Sequence, residues 1–310
     1  MPAAPGVLHS GPMRLVTRGD LDGLTCALLL TRCEPIDSLE LVHPQEIADR
    51  RFPISHEDIV ANLPYHPACG KWFDNHLLTD KGGTPPRNFK GRYAKAPSAA
   101  RVVYDHYLPE HPDLARFAEL VAETDRLDSA QLTLDDVLAP KGYILLGYTL
   151  DPRTGLGAFQ DYFRRVLDAL ATRPVQEVLA LPEVETRIQR IQAQDRAFRE
   201  ATLAHSRMEG SVVVTDFRPL SAIPVGNRFL VYTLFPEATV SIRLHWGPRR
   251  EQVAVSVGRS IFKRTSRTNI GVLLSLYGGG GHAGAGSCML LPEKADEQLP
   301  EIVAALNRTR

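Results

Sequence analysis

Short β-forming runs alternate with helical stretches in the first part of the chain, and this alternation constrains the fold more than any other feature. Arg14–Thr17 predicts a strand and Leu24–Cys33 a helix, and further strands are predicted at 39–43, 59–63 and 71–73. A β-α-β order of this kind implies a largely parallel sheet that is flanked by helices. We therefore expect an α/β domain in the N-terminal part of the chain.

The pattern changes after a long, mostly polar helix that is predicted from Pro182 to about Arg207. Strand-like runs with hairpin-like spacing then follow at 212–214, 229–234, 239–246 and 252–257. We expect four regions along the chain. They are a loose tail at 1–12, a parallel-sheet α/β domain at 13–181, a helical connector at 182–208 and a smaller α+β domain at 209–310.

The bulk properties exclude several classes of protein. The chain has 310 residues, of which 44% are hydrophobic and 23% charged, and no apolar run is long enough to cross a bilayer. We therefore expect no membrane association. The four cysteines form no Cys-x-x-Cys pair, which favours a reducing, cytoplasmic location. The oligomeric state stays open, with a homodimer among the alternatives.

The charge is balanced overall but unevenly distributed. Nine Lys and Arg stand against three Asp and Glu between residues 211 and 291, a net charge of +6, and the neutral total leaves −6 for the remainder. An acidic N-terminal part suits metal ions and a basic C-terminal part suits phosphates, although an asymmetry of this size also arises by chance.

The turn after the first predicted strand contains two carboxylates, in the sequence Arg18-Gly-Asp20-Leu-Asp22-Gly23. Carboxylates at the end of a strand in an α/β sheet point into a crevice that suits a metal ion or a phosphate. The alternative is an Asp-Gly turn with a capping aspartate, which is a common structural feature. The turn alone does not decide between the two.

Two further acidic sites follow. Asp74 and His76 come directly after the fourth predicted strand, and in a parallel sheet they emerge at the same edge as Asp20 and Asp22. This mixture of oxygen and nitrogen ligands suits Mn²⁺ or Mg²⁺, although a turn cap and a surface histidine explain the pair equally well. Asp125, at a predicted helix end, could close such a site or simply be solvated.

The C-terminal domain contains the run Gly278-Gly279-Gly280-Gly281-His282. Consecutive glycines let backbone N–H groups converge on an anion, and a histidine adds a donor. Phosphate binding is favoured over a flexible connection because basic residues lie just upstream, namely Arg259, Lys263, Arg264 and Arg267.

Four motifs follow one another along the chain, namely Asp-x-Asp-Gly, Asp-x-His, a later Asp and a distal Gly-Gly-Gly-His. Their order resembles that of the DHH phosphoesterase superfamily with its DHH-associated C-terminal domain. The resemblance extends from about Met13 to Leu291. It implies a two-domain phosphoesterase that binds a divalent metal, often Mn²⁺, in its first domain. It also implies that the Gly279–His282 segment holds the phosphate and base end of the substrate, and we expect Arg259 and Arg267 to contact the phosphate as well. Superfamily members act on short single-stranded oligonucleotides, small nucleotides or polyphosphate.

The sequence departs from the superfamily pattern at two metal positions. Asn75 stands where the first histidine of the Asp-His-His motif binds metal, and Asn62 stands where an aspartate bridges two metals. Asp74 and His76 match the rest of that motif, so His76 is expected to face the phosphate beside Asp74. With Asp20, Asp22 and Asp125 as the remaining anionic ligands, one ion is favoured over two. Arg18 as a fixed cation beside the phosphate and His66 as a substitute ligand are further candidates.

Two functions therefore stay open, together with the less favoured reading of an unrelated structural α/β protein. The first is a metal-dependent phosphoesterase that uses His76, Asp74 and Arg18 on a small nucleotide, a short oligonucleotide or polyphosphate. The second is a nucleotide- or polyphosphate-binding protein whose metal centre is degenerate, which Asn62 and Asn75 suggest.

Overall fold

The computed structural model describes residues 11–76, 85–150 and 158–308, so nearly all of the predicted tail lies outside the described residues. The chain forms two compact units. One comprises residues up to Gln131 together with Lys141–Arg187, and the other comprises Leu132–Pro140 together with Ile188–Arg310. No helix among the described residues is long and apolar enough to cross a membrane.

The strands and helices are numbered in chain order. The strands are β1 (Met13–Thr17), β2 (Ile36–Leu41), β3 (Asp58–Ala61), β4 (Lys71–Asp74), β5 (Gly91–Tyr93), β6 (Ser206–Glu209), β7 (Val212–Asp216), β8 (Val240–Trp246), β9 (Val253–Arg259), β10 (Gly280–His282) and β11 (Ala285–Leu290). The α-helices are α1 (Leu21–Cys33), α2 (Pro44–Ala48), α3 (Ala99–Tyr107), α4 (Ala118–Asp128), α5 (Leu134–Leu138), α6 (Gly142–Thr149), α7 (Phe159–Leu170), α8 (Val175–Leu179), α9 (Pro182–Ala204), α10 (Val231–Leu234), α11 (Ile270–Ser275) and α12 (Pro292–Arg308).

The first unit is built on the parallel sheet that the sequence predicts. Its strand order is β2-β1-β3-β4-β5, and every neighbouring pair is parallel. The central strands are buried on both faces, as Leu15, Val16, Ile59, Val60 and Trp72 show, which explains their continuous apolar runs. Because β1 lies between β2 and β3, the strand order reverses beside β1, and the crevice of such sheets opens there at the carboxyl ends of the strands.

The second unit contains a six-stranded mixed sheet in the order β10-β11-β9-β8-β7-β6. Alternate residues of its strands, among them Val240, Ile242, Val255 and Leu290, form a core with α11 and α12 on one face. The hairpin-like spacing predicts antiparallel neighbours, and this is correct for β8 and β9 but wrong for β7 and β8, which pair in parallel.

One local prediction is wrong for an identifiable reason. Residues 229–234 form a turn and the short helix α10 and not a strand, because Val231 and Tyr232 pack against Val213 of the sheet. The Gly278–Gly286 segment contains β10, since its glycines allow this strand to pair closely with β11. The short strand β5 was not predicted from sequence, since only three residues pair with β4. Helix α9 belongs to the first unit up to Arg187 and to the second from Ile188.

Candidate active site

The Asp20 turn joins β1 to α1 at the carboxyl edge of the parallel sheet. Asp20 caps α1, and its Oδ1 accepts hydrogen bonds from the Gly23 N–H at 2.9 Å and from Asn62 Nδ2 at 3.0 Å. Its other oxygen, Oδ2, lies 2.9 Å from Arg18 Nε. The glycine is required, because a Cβ at Gly23 would lie 1.9 Å from the Arg18 carbonyl oxygen. The capping interpretation is therefore correct, and it leaves Asp20 at the crevice.

Asp22 lies deeper and is bound by the start of another helix. Its side chain is only 3% exposed. Its two oxygens accept hydrogen bonds from the first backbone N–H groups of α3, that of Ala99 at 2.9 Å and that of Ala100 at 2.7 Å. Burial and the nearby charges of Asp128 and Asp20 raise the pKa of Asp22, although the two hydrogen bonds act to lower it. A cation beside Asp22 would stabilise the charged form of this carboxylate.

Asn62 follows β3 and reaches the same edge. Its backbone is left-handed, with a φ of 56°, a conformation that asparagine tolerates better than most residues. The Trp72 indole N–H donates to the Leu63 carbonyl at 2.9 Å and so anchors this turn. Asn62 is buried and donates to Asp20, but its Oδ1 has no hydrogen-bond partner. A buried carbonyl oxygen without a partner is costly unless a ligand occupies it.

Asp74, Asn75 and His76 end β4, one strand further along the sheet. Asp74 is buried, and its Oδ1 lies 2.8 Å from His76 Nδ1. This hydrogen bond, helped by the charges of Asp74, Asp128 and Asp22, raises the pKa of His76 to about 9, against a partial desolvation of the ring. Asn75 donates to the Ala96 carbonyl at 3.0 Å, and its Oδ1 is a second buried oxygen that lacks a partner.

Both carboxylate oxygens of Asp125 are hydrogen-bonded by other side chains. Its Oδ1 accepts from Ser98 Oγ at 2.6 Å, and its Oδ2 accepts from Arg101 Nε and Nη2 at 2.9 and 2.7 Å. Ser98 also caps α3 through the Arg101 N–H at 3.0 Å. Asp125 therefore fixes the helix start that in turn binds Asp22. The carboxylate of α4 whose charge acts on both Asp22 and His76 is that of Asp128.

The sequence pattern did not single out Asp128, Ser98 or the N–H groups of α3 as parts of the site. Asp128 lies three residues beyond Asp125, almost one helical turn, and this spacing was the available signal. His66 lies apart from the site, since the charges that act on it are those of Arg50 and Asp58.

A metal ion fits this edge of the sheet only if the amide oxygens of Asn62 and Asn75 serve as ligands together with the carboxylates. Among the described residues, no three His, Cys, Asp or Glu side chains are grouped so that they could hold a metal ion. The oxygens that lack partners are Asn62 Oδ1, which follows β3, and Asn75 Oδ1, which follows β4. They lie at the carboxyl edge of the sheet, where Asp20 follows β1 and Asp74 ends β4. Carboxylate and amide oxygens suit Mg²⁺ and Mn²⁺.

The glycine-histidine segment of the second unit forms β10 and its turn. A Cβ at Gly279 or Gly281 would collide with the backbone of β11, at 2.2 Å from the Ser287 oxygen and 2.3 Å from the Ala285 oxygen respectively, whereas a Cβ at Gly280 would meet nothing within 4 Å. His282 Nδ1 accepts from the Gly284 N–H at 3.1 Å, which places the proton of the neutral ring on Nε2.

The two predicted phosphate-binding arginines have different surroundings. The Arg259 guanidinium donates to the Thr268 carbonyl through Nε at 3.0 Å and through Nη2, and so ties β9 to the segment before α11. Arg267 lies in that segment and is exposed. Arg259 also continues the alternation of Val255 and Val257, which places it on the sheet face opposite to His282.

The structure is similar to that of the pGpG-specific phosphodiesterase PggH from Vibrio cholerae, with a TM-score of 0.80 and 36% sequence identity. The match covers 96% of this chain and 100% of that protein's chain. RecJ from Thermus thermophilus, solved in complex with Mn²⁺, matches with a TM-score of 0.58 and 15% identity over 96% of this chain, which spans 52% of RecJ. Models of protein families and curated proteins gave no match.

Proposed function

The chain belongs to the DHH phosphoesterase superfamily, and from this membership we propose that it is a metal-dependent phosphodiesterase that hydrolyses pGpG or a similar short oligonucleotide. The observation that carries the proposal is the convergence of Asp20, Asp22, Asn62 and the Asp74–His76 pair at one edge of a parallel sheet. The superfamily supplies the expectation of a divalent ion, and the two amide oxygens without partners support it.

The residues divide the chemistry among them. Asp20, Asp22 and the amide oxygens of Asn62 and Asn75 would hold one Mn²⁺ or Mg²⁺ ion. Such an ion neutralises phosphate charge and lowers the pKa of a water molecule that attacks phosphorus. Because His76 is protonated at neutral pH, its imidazolium binds the phosphate and donates a proton to the departing ribose oxygen. Asp74 orients the ring through Nδ1.

Arg18 and Asp125 support this centre in different ways. The Arg18 guanidinium is 45% exposed beside Asp20 and supplies a second fixed cation for the phosphate. Asp125 acts by positioning, since it binds Ser98 and Arg101 at the start of α3. In the second unit, Gly280, His282 and Arg267 contact the substrate, because Gly280 leaves open space and His282 is exposed. Arg259, Gly279 and Gly281 shape that segment.

The test is a substrate panel of pGpG, pApA, longer oligonucleotides and polyphosphate, with products separated by chromatography in Mn²⁺ or in EDTA. We expect Mn²⁺-dependent conversion of pGpG to GMP that EDTA abolishes. Asp22→Asn should lower the rate by about a hundredfold or more. Asp168→Asn, on the exposed side of α7, should leave it unchanged. A preparation that releases no product from any member of the panel would contradict the proposal.

A second function is favoured by one observation, the absence of a three-ligand acidic or imidazole cluster among the described residues. On that basis the protein would bind a nucleotide without hydrolysing it. Calorimetry with pGpG separates the two functions, because a binding protein shows the same affinity with and without Mn²⁺ and no turnover. The double variant Asn62→Asp with Asn75→His should then create activity, whereas an already active enzyme would change only modestly.

A further inference from the structure

Thr17, the last residue of β1, is a buried polar residue that takes no part in the proposed mechanism. Its side chain is completely inaccessible to solvent. Its hydroxyl donates a hydrogen bond at 3.0 Å to the carbonyl of Ala61, the last residue of β3. The backbone pairing of these two strands ends one residue earlier, at Val16 and Val60. Thr17 therefore connects β1 to β3 at the edge of the sheet that carries the candidate site.

The residue that follows Ala61 is Asn62, whose backbone is left-handed with a φ of 56°. In a residue other than glycine such a backbone costs free energy and persists where neighbouring contacts enforce it. The peptide group that joins Ala61 to Asn62 is held at both of its ends. Its carbonyl accepts from Thr17, and its N–H donates to the Phe73 carbonyl of β4 at 3.1 Å. These two hydrogen bonds fix the orientation of the peptide group from which Asn62 departs.

The Thr17 hydroxyl also lies close to the turn that carries Asp20. A Cβ at Gly23 would lie 2.9 Å from Thr17 Oγ1. The Gly23 N–H binds Asp20 Oδ1 at 2.9 Å, and Asn62 Nδ2 binds the same oxygen at 3.0 Å. A single buried hydroxyl is therefore in contact with the backbone of both turns whose polar groups meet at Asp20.

Resting on the proposed function, in which Asn62 Oδ1 is a metal ligand, we infer that Thr17 is a positioning residue for the metal site. Its hydroxyl orients the peptide group before Asn62, and through it the amide that binds Asp20 and the ion. Thr17 acts through this peptide group and is not itself a ligand. Removing a residue that orients metal ligands typically lowers metal affinity by about tenfold to a hundredfold.

The test is calorimetric titration of Mn²⁺ into the wild type and three variants. Valine has the shape of threonine without the hydroxyl, so Thr17→Val should raise the Kd for Mn²⁺ by about tenfold to a hundredfold. Thr17→Ser keeps the donor and should bind Mn²⁺ as the wild type does. Thr202→Val is the matched control, because it removes another buried hydroxyl, which donates to the Phe198 carbonyl at 2.7 Å in the second unit. It should lower the melting temperature but leave the Kd unchanged.

A normal Mn²⁺ affinity in Thr17→Val, or an equal loss in Thr17→Ser, would overturn the inference. Hydrogen exchange of the Asn62 backbone amide, followed by NMR without metal, is the second readout. It should be faster in Thr17→Val than in the wild type and in Thr202→Val. If the wild type binds no Mn²⁺, the proposed metal centre fails by itself, and the exchange rate decides whether Thr17 positions Asn62. An unchanged rate, or the same increase in Thr202→Val, would show that it does not.

Discussion

The two ends of the Asn62 amide have different surroundings. Nδ2 donates to Asp20, whereas Oδ1 is buried without a partner. An aspartate there would face Asp20 as a like charge unless a cation lay between them. Substitution of Asn62 therefore tests the proposed metal site.

We predict that Asn62→Asp melts at a lower temperature than the wild type in EDTA and gains more from Mn²⁺. The loss follows from repulsion of Asp20, and the gain follows from tighter binding of the ion, since a ligand at a hundred times its Kd stabilises by about 2.7 kcal/mol. Calorimetric melting with and without Mn²⁺ measures both effects. Equal gains in wild type and variant would exclude Asn62 from the metal site.

The glycines of β10 allow a second test at single residues. Gly280→Ala should leave the melting temperature nearly unchanged, because its Cβ meets nothing in the protein, but it should weaken substrate binding. Gly281→Ala should lower stability by about 1 kcal/mol or more, because φ is +149° there and the Cβ would collide with β11. Unfolding curves and KM values of both variants check this. If Gly280→Ala binds substrate normally, Gly280 does not contact it.

At the scale of elements, the start of α3 connects Asp125 to the crevice. Ser98 caps the helix and binds Asp125, while the next two N–H groups bind Asp22. This cap is recognisable in the sequence, because a serine before Ala99-Ala100 is a typical helix start. It did not predict that the helix points at Asp22, since the two segments lie 77 residues apart.

We predict that Ser98→Ala costs about 1 kcal/mol of stability and also lowers kcat, because the N–H groups that position Asp22 lose their anchor. Thr133→Ala is the matched control, since Thr133 caps a different helix, α5, through the Asp136 N–H at 3.2 Å. Denaturant unfolding and steady-state kinetics separate the two effects. Normal kcat in Ser98→Ala would remove α3 from the catalytic machinery.

At the scale of the whole molecule, the sequence predicted the parallel sheet and the edge that carries Asp20, Asn62 and Asp74, because these depend on local β-α-β order. Strand register and the partners of individual side chains could not be predicted from the sequence. The register of the second sheet places Arg259 on the face opposite to His282. Arg101 donates a hydrogen bond to the Asp125 carboxylate. Such choices depend on contacts between segments that are distant in sequence.

Acid stability of the second unit should depend on Asp216. Burial alone would raise its pKa, but hydrogen bonds and charge from Arg218 outweigh burial and lower the pKa below its ordinary value. A group whose pKa is lowered by folding stabilises the folded state at pH values above its unfolded pKa, which is about 3.9 for aspartate. This stabilisation is lost as the pH falls through the folded-state pKa. Asp216→Asn should therefore cost about 1 kcal/mol at pH 6 and progressively less below about pH 4. A cost that is the same at pH 6 and pH 3 would contradict this.

The most direct test of metal-dependent hydrolysis is pGpG turnover in ¹⁸O-labelled water, followed by mass spectrometry of the GMP formed. If water attacks phosphorus at the centre formed by Asp20 and Asp22, half of the GMP molecules carry one ¹⁸O atom, and the label disappears in EDTA and in Asp22→Asn. If intact pGpG is recovered unlabelled while calorimetry shows that it binds, the protein is a binding module and the hydrolytic account is wrong.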